Sequence, residues 1–219
     1  MRKSKRAALA AACVLACANA RPADIPTTLG ITEGPAGTHR LTIVSAYSCG
    51  YCRVLDAEAM PELRASWLRR GLQLESVPVS ISATDGVTAI AATCGDMRGY
   101  ARRSTILFRA QSDIASNWNG TPEEARTRLG RRPPTQSYPE VARLAGLPSL
   151  APSLGLSWKQ LESCLNDPAK RDAQARRERL ADLKWNVSGT PTMFLDGRSI
   201  GSKWSDARAA LVRAFSTGK

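Results

Sequence analysis

Cys49-Gly50-Tyr51-Cys52 constrains this chain more than any other stretch. It follows an apolar, β-branched run, Leu41-Thr42-Ile43-Val44-Ser45-Ala46, and leads into a segment of helical character over residues 53–70. A strand that delivers a Cys-x-x-Cys to the start of a helix is a redox geometry. Unpaired N–H groups at a helix N-terminus favour negative charge, and the first sulfur, Cys49, falls at that end. Cys52 lies one turn further in, placed to attack a mixed disulfide at Cys49 and resolve it. The same residues also fit a structural disulfide or half of a zinc site. A zinc site needs two more ligands, and there is no second close Cys or His pair; His39 is the only histidine.

The start of the chain reads as a leader. Arg2, Lys3, Lys5 and Arg6 precede a short apolar run over residues 7–16, too short to span a bilayer, and Ala18-Asn19-Ala20 offers a cleavage site. Residues 1–20 therefore read as a secretory signal peptide, and the mature protein as periplasmic. Val14-Leu15-Ala16-Cys17 loosely resembles a lipobox, so a lipid anchor through Cys17 is the alternative. No later stretch is long and apolar enough to cross a membrane. Of six cysteines, Cys13 and Cys17 belong to the leader. Cys49, Cys52, Cys94 and Cys164 remain, an even set in an oxidising compartment, which suggests pairing.

With 31 basic against 19 acidic residues, the formal charge is +12. The basic pairs Arg69-Arg70, Arg102-Arg103, Arg131-Arg132 and Arg176-Arg177 are scattered, and few aromatic residues interleave with them. They read as solvated helix faces, and a nucleic-acid partner is not expected.

Five segments follow in order. After the leader, residues 21–39 form a polar arm with a short edge strand near 29–32. Residues 40–84 read as strand, helix and strand, a parallel βαβ unit. Pro61 is expected to kink the helix, and Gly71 to end it. Leu72, Leu74, Val77, Val79 and Ile81 alternate as the second strand. Residues 85–184 read as almost wholly helical. Val87, Ile90, Ala91 and Cys94 share one face; Thr121 caps a helix with Pro122 first; residues 131–137 are a loop; a short helix runs over 139–147. Ser157-Trp158-Lys159-Gln160 is a capping box, and Asp167-Pro168 starts a last long helix. Residues 185–219 return to β structure: a strand after Thr190-Pro191, an Asp196-Gly197 hairpin turn, a partner strand, then an amphipathic helix capped by Ser205.

Strand, Cys-x-x-Cys helix, strand, and a late Gly-Thr-Pro before a hairpin and helix: this resembles the thioredoxin fold. The long helical stretch between the halves is similar to the DsbA/DsbG-like branch of exported bacterial thiol-disulfide oxidoreductases. The resemblance covers most of the mature chain. It rests on Cys49 to Cys52, on Thr190-Pro191, and on the residues around Cys94, 108–111, Cys164 and 187–194. It implies an α/β thioredoxin fold with an inserted all-helical subdomain. It implies that Pro191 is cis and faces the redox pair, and that Thr190 presents backbone groups to a substrate peptide. Related proteins often carry a second disulfide in the helical part, which implies a structural Cys94–Cys164 bond; two inert buried thiols are the alternative.

Gly50-Tyr51 departs from the proline and histidine usual in the DsbA oxidase type and looks more like the isomerase and DsbG-type members. Those isomerases use a separate dimerisation domain, for which the arm is too short, so a monomer is expected. Thioredoxin and DsbA place a buried acid six residues before the first cysteine; here that position is Ile43. Asp56 and Glu58 are the nearby acids, and both are read as solvent-exposed. The expected function is exported thiol-disulfide exchange through Cys49 and Cys52 with unfolded or reduced secreted proteins, in the oxidase direction. A DsbG-type isomerase or reductase is the alternative. A DsbB-like or DsbD-like membrane partner resets the site, and no cofactor is expected beyond the disulfide itself. A copper-binding thioredoxin-fold protein is the alternative from another class, disfavoured by one His and four Met.

Overall fold

The computed structural model describes residues 29–216. The expected leader at 1–20, with Cys13 and Cys17, and the first part of the expected arm at 21–39 lie outside the described residues.

Five strands form one sheet: β1 (Ile31–Glu33), β2 (His39–Ser45), β3 (Leu72–Pro78), β4 (Thr192–Leu195) and β5 (Arg198–Gly201), in the order β1-β3-β2-β4-β5. β2 and β3 are parallel; the other neighbours are antiparallel. The period-2 pattern divides the side chains cleanly. Leu41, Ile43, Leu72, Leu74, Met193 and Leu195 pack into one core, and Val44, Val77 and Phe194 into another on the opposite face. Asp196 and Gly197 both have positive φ, 51° and 81°, the twist that a two-residue turn between β4 and β5 requires.

Helix α1 (Gly50–Glu62) connects β2 to β3. Its Leu55 and the following Leu63 and Trp67 bury against the first face of the sheet. Each such side chain contributes roughly 1.5–3 kcal/mol relative to exposure. Pro61 lies inside α1, and the helix does not break there: it relaxes into a π turn over Leu63–Trp67 and a 3-10 turn over Leu68–Arg70. The ring removes one N–H from the ladder, and the wider turn reassigns the carbonyls that follow. Gly71 closes the segment at φ 90°.

Between β3 and β4 the chain is helical: α2 (Asp85–Thr93), α3 (Tyr100–Arg109), α4 (Gln111–Asn119), α5 (Glu123–Gly130), α6 (Pro134–Leu144), α7 (Leu147–Leu150), α8 (Trp158–Asn166) and α9 (Pro168–Trp185). These helices build a core of their own that also receives Tyr47, Cys49 and Cys52 from the β2–α1 turn. α10 (Trp204–Ser216) covers the first face of the sheet beside α1, through Ala207, Ala210 and Leu211.

The capping box at Ser157 and Gln160 and the Asp167-Pro168 start of α9 are present. Several local expectations differ. α2 is buried all round over residues 85–92, not on one face, because small Gly and Ala residues let neighbours close in on every side. β3 ends at Pro78, leaving Ile81 in the following loop, 60% exposed. α5 begins at Glu123 with Pro122 at the cap, so Thr121 lies outside it. α6 begins at Pro134, where a proline is tolerated as first helical residue, and takes in most of the segment expected to be a loop. α10 begins at Trp204, which puts Ser205 within its first turn; the Ser205 hydroxyl bonds the Asp206 carboxylate instead.

Candidate active site

β2 runs out at Ser45, and Ala46, Tyr47, Ser48 and Cys49 turn the chain into α1. The N–H of Cys49 donates to the Ala46 carbonyl at 3.1 Å, closing that turn. Cys49 has extended backbone, φ −81° and ψ 116°, and is the N-cap of α1. Its Sγ accepts the N–H of Cys52 at 3.2 Å and so takes the place a serine or aspartate oxygen fills at other helix starts. Sulfur rather than oxygen therefore meets the positive end of the helix.

Cys49 and Cys52 are both free thiols, 7% and 1% exposed. Burial, and then the hydrogen bond with the Cys49 sulfur, push the Cys52 thiol far above its ordinary range; the Ala46 and Thr190 hydrogen bonds only partly offset this. The two sulfurs are thus unequal: one sits at a helix end near the surface, and the other is held protonated beneath it.

Thr190 and Pro191 enter from the far end of the chain. Their peptide bond is cis and leads directly into β4. The Cys49 thiol donates to the Thr190 carbonyl at 3.3 Å. Beside them opens a groove of about 680 Å³, lined by Tyr51, Val54, Leu55, Glu58, Thr190, Pro191, Lys203 and Trp204 among others. A smaller one of about 280 Å³ also reaches Thr190 and is lined by Val79, Ile81, Glu178 and Val187 among others. Tyr51 is 80% exposed at the rim. Gly50 packs against nothing: a Cβ there meets no atom within 4 Å.

The turn is held by residues that sequence reasoning missed. Asp85, at the start of α2, accepts from Ser48, and Gln111, at the start of α4, donates from Nε2 to the Tyr47 carbonyl at 2.6 Å. Arg53 Nε donates to the other end of the same Gln111 amide at 3.3 Å, so this cation is bound to the helical part and not to a sulfur. Tyr47 donates its hydroxyl to Ser104 at 3.1 Å and packs its ring on Phe108, centroids 4.7 Å apart. An acid at a helix start is an ordinary signal, and nothing in the sequence tied Asp85 to a serine 37 residues earlier.

Asp56 corrects an expectation. It is buried, not solvent-exposed, because α1 turns that position toward α3; Glu58 is exposed. Burial raises the Asp56 carboxyl above its usual value, with the charge of Arg64 and the Thr105 hydroxyl offsetting part of the effect. Glu75, on β3, is a further buried acid. It accepts from Gly30 N–H at 2.8 Å and from the Thr42 hydroxyl at 2.8 Å, docking the chain before β1 onto β3.

Cys94 and Cys164 are bonded, with Cα atoms 5.8 Å apart, joining the end of α2 to α8. Among the described residues no group of three or more His, Cys, Asp or Glu side chains is placed to hold a metal ion, and no helix is long and apolar enough to cross a membrane.

The sheet order, the helices between β3 and β4, and a cysteine pair at the start of α1 opposite a cis proline define the thioredoxin fold with a helical insertion, the fold of DsbA-like thiol-disulfide oxidoreductases. A protein-disulfide isomerase from Novosphingobium aromaticivorans superposes with a TM-score of 0.75 at 20% identity, over 84% of this chain and 96% of that one. The α-DsbA1 of Wolbachia pipientis gives 0.67 at 14% identity, over 88% and 94%. Chlamydia trachomatis DsbA gives 0.60 at 17% identity, over 86% and 93%. No family model matches the chain, and no curated protein matches its sequence.

Proposed function

We propose that this protein is an exported thiol-disulfide oxidase that introduces disulfides into secreted proteins through Cys49 and Cys52. The observation that carries the reading is the inequality of the two sulfurs: Cys49 caps α1 beside the Thr190 carbonyl and an open groove, while Cys52 is buried and held protonated.

With the pair oxidised, a substrate thiolate attacks Cys49 Sγ. A bond forms between those two sulfurs, the Cys49–Cys52 bond breaks, and Cys52 leaves with the electron pair and takes up a proton. The substrate strand lies along Thr190-Pro191, its flanking side chains entering the two grooves that Thr190 lines. A second substrate thiolate attacks the substrate sulfur and expels Cys49. Two electrons pass from substrate to enzyme, and the substrate gains a disulfide. A protonated Cys52 is a poor nucleophile, so it does not take back Cys49 before the second substrate thiol arrives. That favours net oxidation over release of reduced substrate.

The leader pattern over residues 1–20 supports export, with a lipid anchor through Cys17 as the variant of that reading. A membrane oxidase of DsbB type then accepts the electrons; a DsbD-type donor belongs to the isomerase or reductase direction, which Gly50-Tyr51 and the Novosphingobium neighbour's name favour. The test is the Cys49–Cys52 reduction potential in glutathione buffers, together with oxidation of a reduced two-cysteine peptide by stoichiometric oxidised protein. A potential well above about −270 mV with rapid peptide oxidation is expected. A potential at or below that value identifies a reductase, and a pair that does not exchange overturns the enzymatic reading.

A further inference from the structure

Asp85 is 1% exposed, carries a carboxylate, and takes no part in the exchange steps above. Its Oδ1 accepts the Ser48 N–H at 2.7 Å. Its Oδ2 accepts the Ser48 hydroxyl at 2.8 Å and the N–H groups of Ile81 at 2.9 Å and Ser82 at 2.8 Å. These four donors come from two separate segments, the turn that carries Cys49 and the loop between β3 and α2. Both oxygens are committed, and Ser48 gives up its backbone and its side-chain donor together.

We propose that Asp85 is a positioning residue for Cys49 whose charge sets the reduction potential of the Cys49–Cys52 pair. The inference rests on the oxidoreductase reading for its biological use, but not for its measurement. Ser48 immediately precedes Cys49, so fixing its N–H and hydroxyl fixes the peptide from which Sγ reaches the Cys52 N–H and the Thr190 carbonyl. The same bonds hold the Asp85 carboxylate against the residue that precedes Cys49, whose sulfur is expelled as a thiolate when the pair is reduced. Like charges at short range oppose one another, most strongly where water is excluded. The disulfide form carries no such charge. Asp85 therefore stabilises the oxidised pair relative to the reduced one and lowers the potential. It opposes the α1 N-terminus, which acts in the other direction.

The test is the potential of folded variants against glutathione, with Cys94 and Cys164 left bonded. Asp85→Asn keeps the shape, removes the charge and turns one accepting oxygen into an NH2 group, so that the Ser48 N–H or the Oδ2 bonds are also weakened. The expected result is a shift of about tenfold in the equilibrium constant toward the reduced pair, about 30 mV more oxidising. Ser48→Ala keeps the charge and removes one of its four donors, leaving the anion less neutralised. The expected shift has the opposite sign, about twofold toward the oxidised pair. Mere loosening of the turn moves both variants the same way, so two shifts of one sign, or none, overturn the proposal. If Asp85→Asn does not fold, Ser48→Ala decides alone: a shift toward the oxidised pair supports the role, and no shift overturns it. Failure of the oxidase reading is recognised separately, as wild-type protein that does not oxidise peptide whatever the potentials of the variants.

Discussion

Cys49 Sγ lies 3.3 Å from the carbonyl oxygen of Thr190, a residue 141 positions later in the chain. The contact follows from sheet topology. β2 ends just before Cys49, β4 begins just after Thr190, and the two strands pair antiparallel with Val44 opposite Thr192. The start of one strand thus meets the end of the other at a single edge of the sheet, and the helices α2–α9 leave and return without disturbing that register.

Separation of the two sulfurs by role gives the first prediction. Cys52→Ser leaves Cys49 exposed to substrate with nothing buried to resolve it. Expressed in its own compartment, this variant should accumulate covalent adducts with secreted proteins that vanish on reduction. Cys49→Ser should accumulate none. Non-reducing gels of the two variants decide this, and equal trapping by both would contradict the assignment of Cys49 as the attacked sulfur.

The raised Cys52 thiol predicts a pH dependence. Below its pKa the Cys52 thiolate fraction rises about tenfold per pH unit, and so does the rate at which Cys52 displaces a small thiol from Cys49. A thiol of ordinary acidity is half ionised near pH 8.5 and levels off about one unit higher. Because burial and the Cys49 sulfur raise Cys52, the rate of displacement in stopped-flow should still be climbing at pH 10. A plateau setting in by about pH 9.5 would show that Cys52 is not desolvated.

Asp56 predicts a stability effect whose sign is set by burial. Burial holds its folded carboxyl above the ordinary aspartate value. It therefore contributes stability that is fully present below the unfolded pKa and is lost as pH rises through the folded value. Asp56→Asn removes that loss. Urea unfolding at pH 7 should find the variant at least as stable as wild type, with the advantage shrinking as pH falls toward 4. A variant clearly weaker at pH 7 would mean that attraction to Arg64 outweighs burial.

The Cys94–Cys164 bond closes a loop of 70 residues, for which the chain-entropy model gives about 4 kcal/mol of stabilisation. Replacing both by Ser should lower the melting temperature by about 10 °C. The Cys49–Cys52 potential should not move, since this bond ties α2 to α8 and not to the turn. A changed potential would give the second bond a redox role.

The sequence was most informative where one residue type has few uses. The Cys49–Cys52 spacing, the Thr190-Pro191 pair, the Asp196-Gly197 turn and the Ser157 capping box each name a local geometry through their own chemistry. Long-range hydrogen bonding left no such trace. Asp85 reads as an acid at a helix start, and only the folded chain brings Ser48 to it. Asp56 reads as a surface acid because Asp usually is one; its burial is decided by α3, whose approach no periodicity in α1 announces. Helix starts slipped wherever prolines cluster, as at Pro133-Pro134, since proline both ends one helix and begins the next.

The distance along the chain between Cys49 and Thr190 has a consequence in time. Synthesis runs from the N-terminus, so Cys49, Cys52 and Cys94 are all present while Cys164 and Thr190 have yet to emerge. Through that interval Cys49, Cys52 and Cys94 share a partial chain, and the residue that Cys94 bonds in the folded protein is missing. The chain thus passes through a stage in which its own cysteines can pair wrongly, and it leaves that stage only once Cys164 has followed.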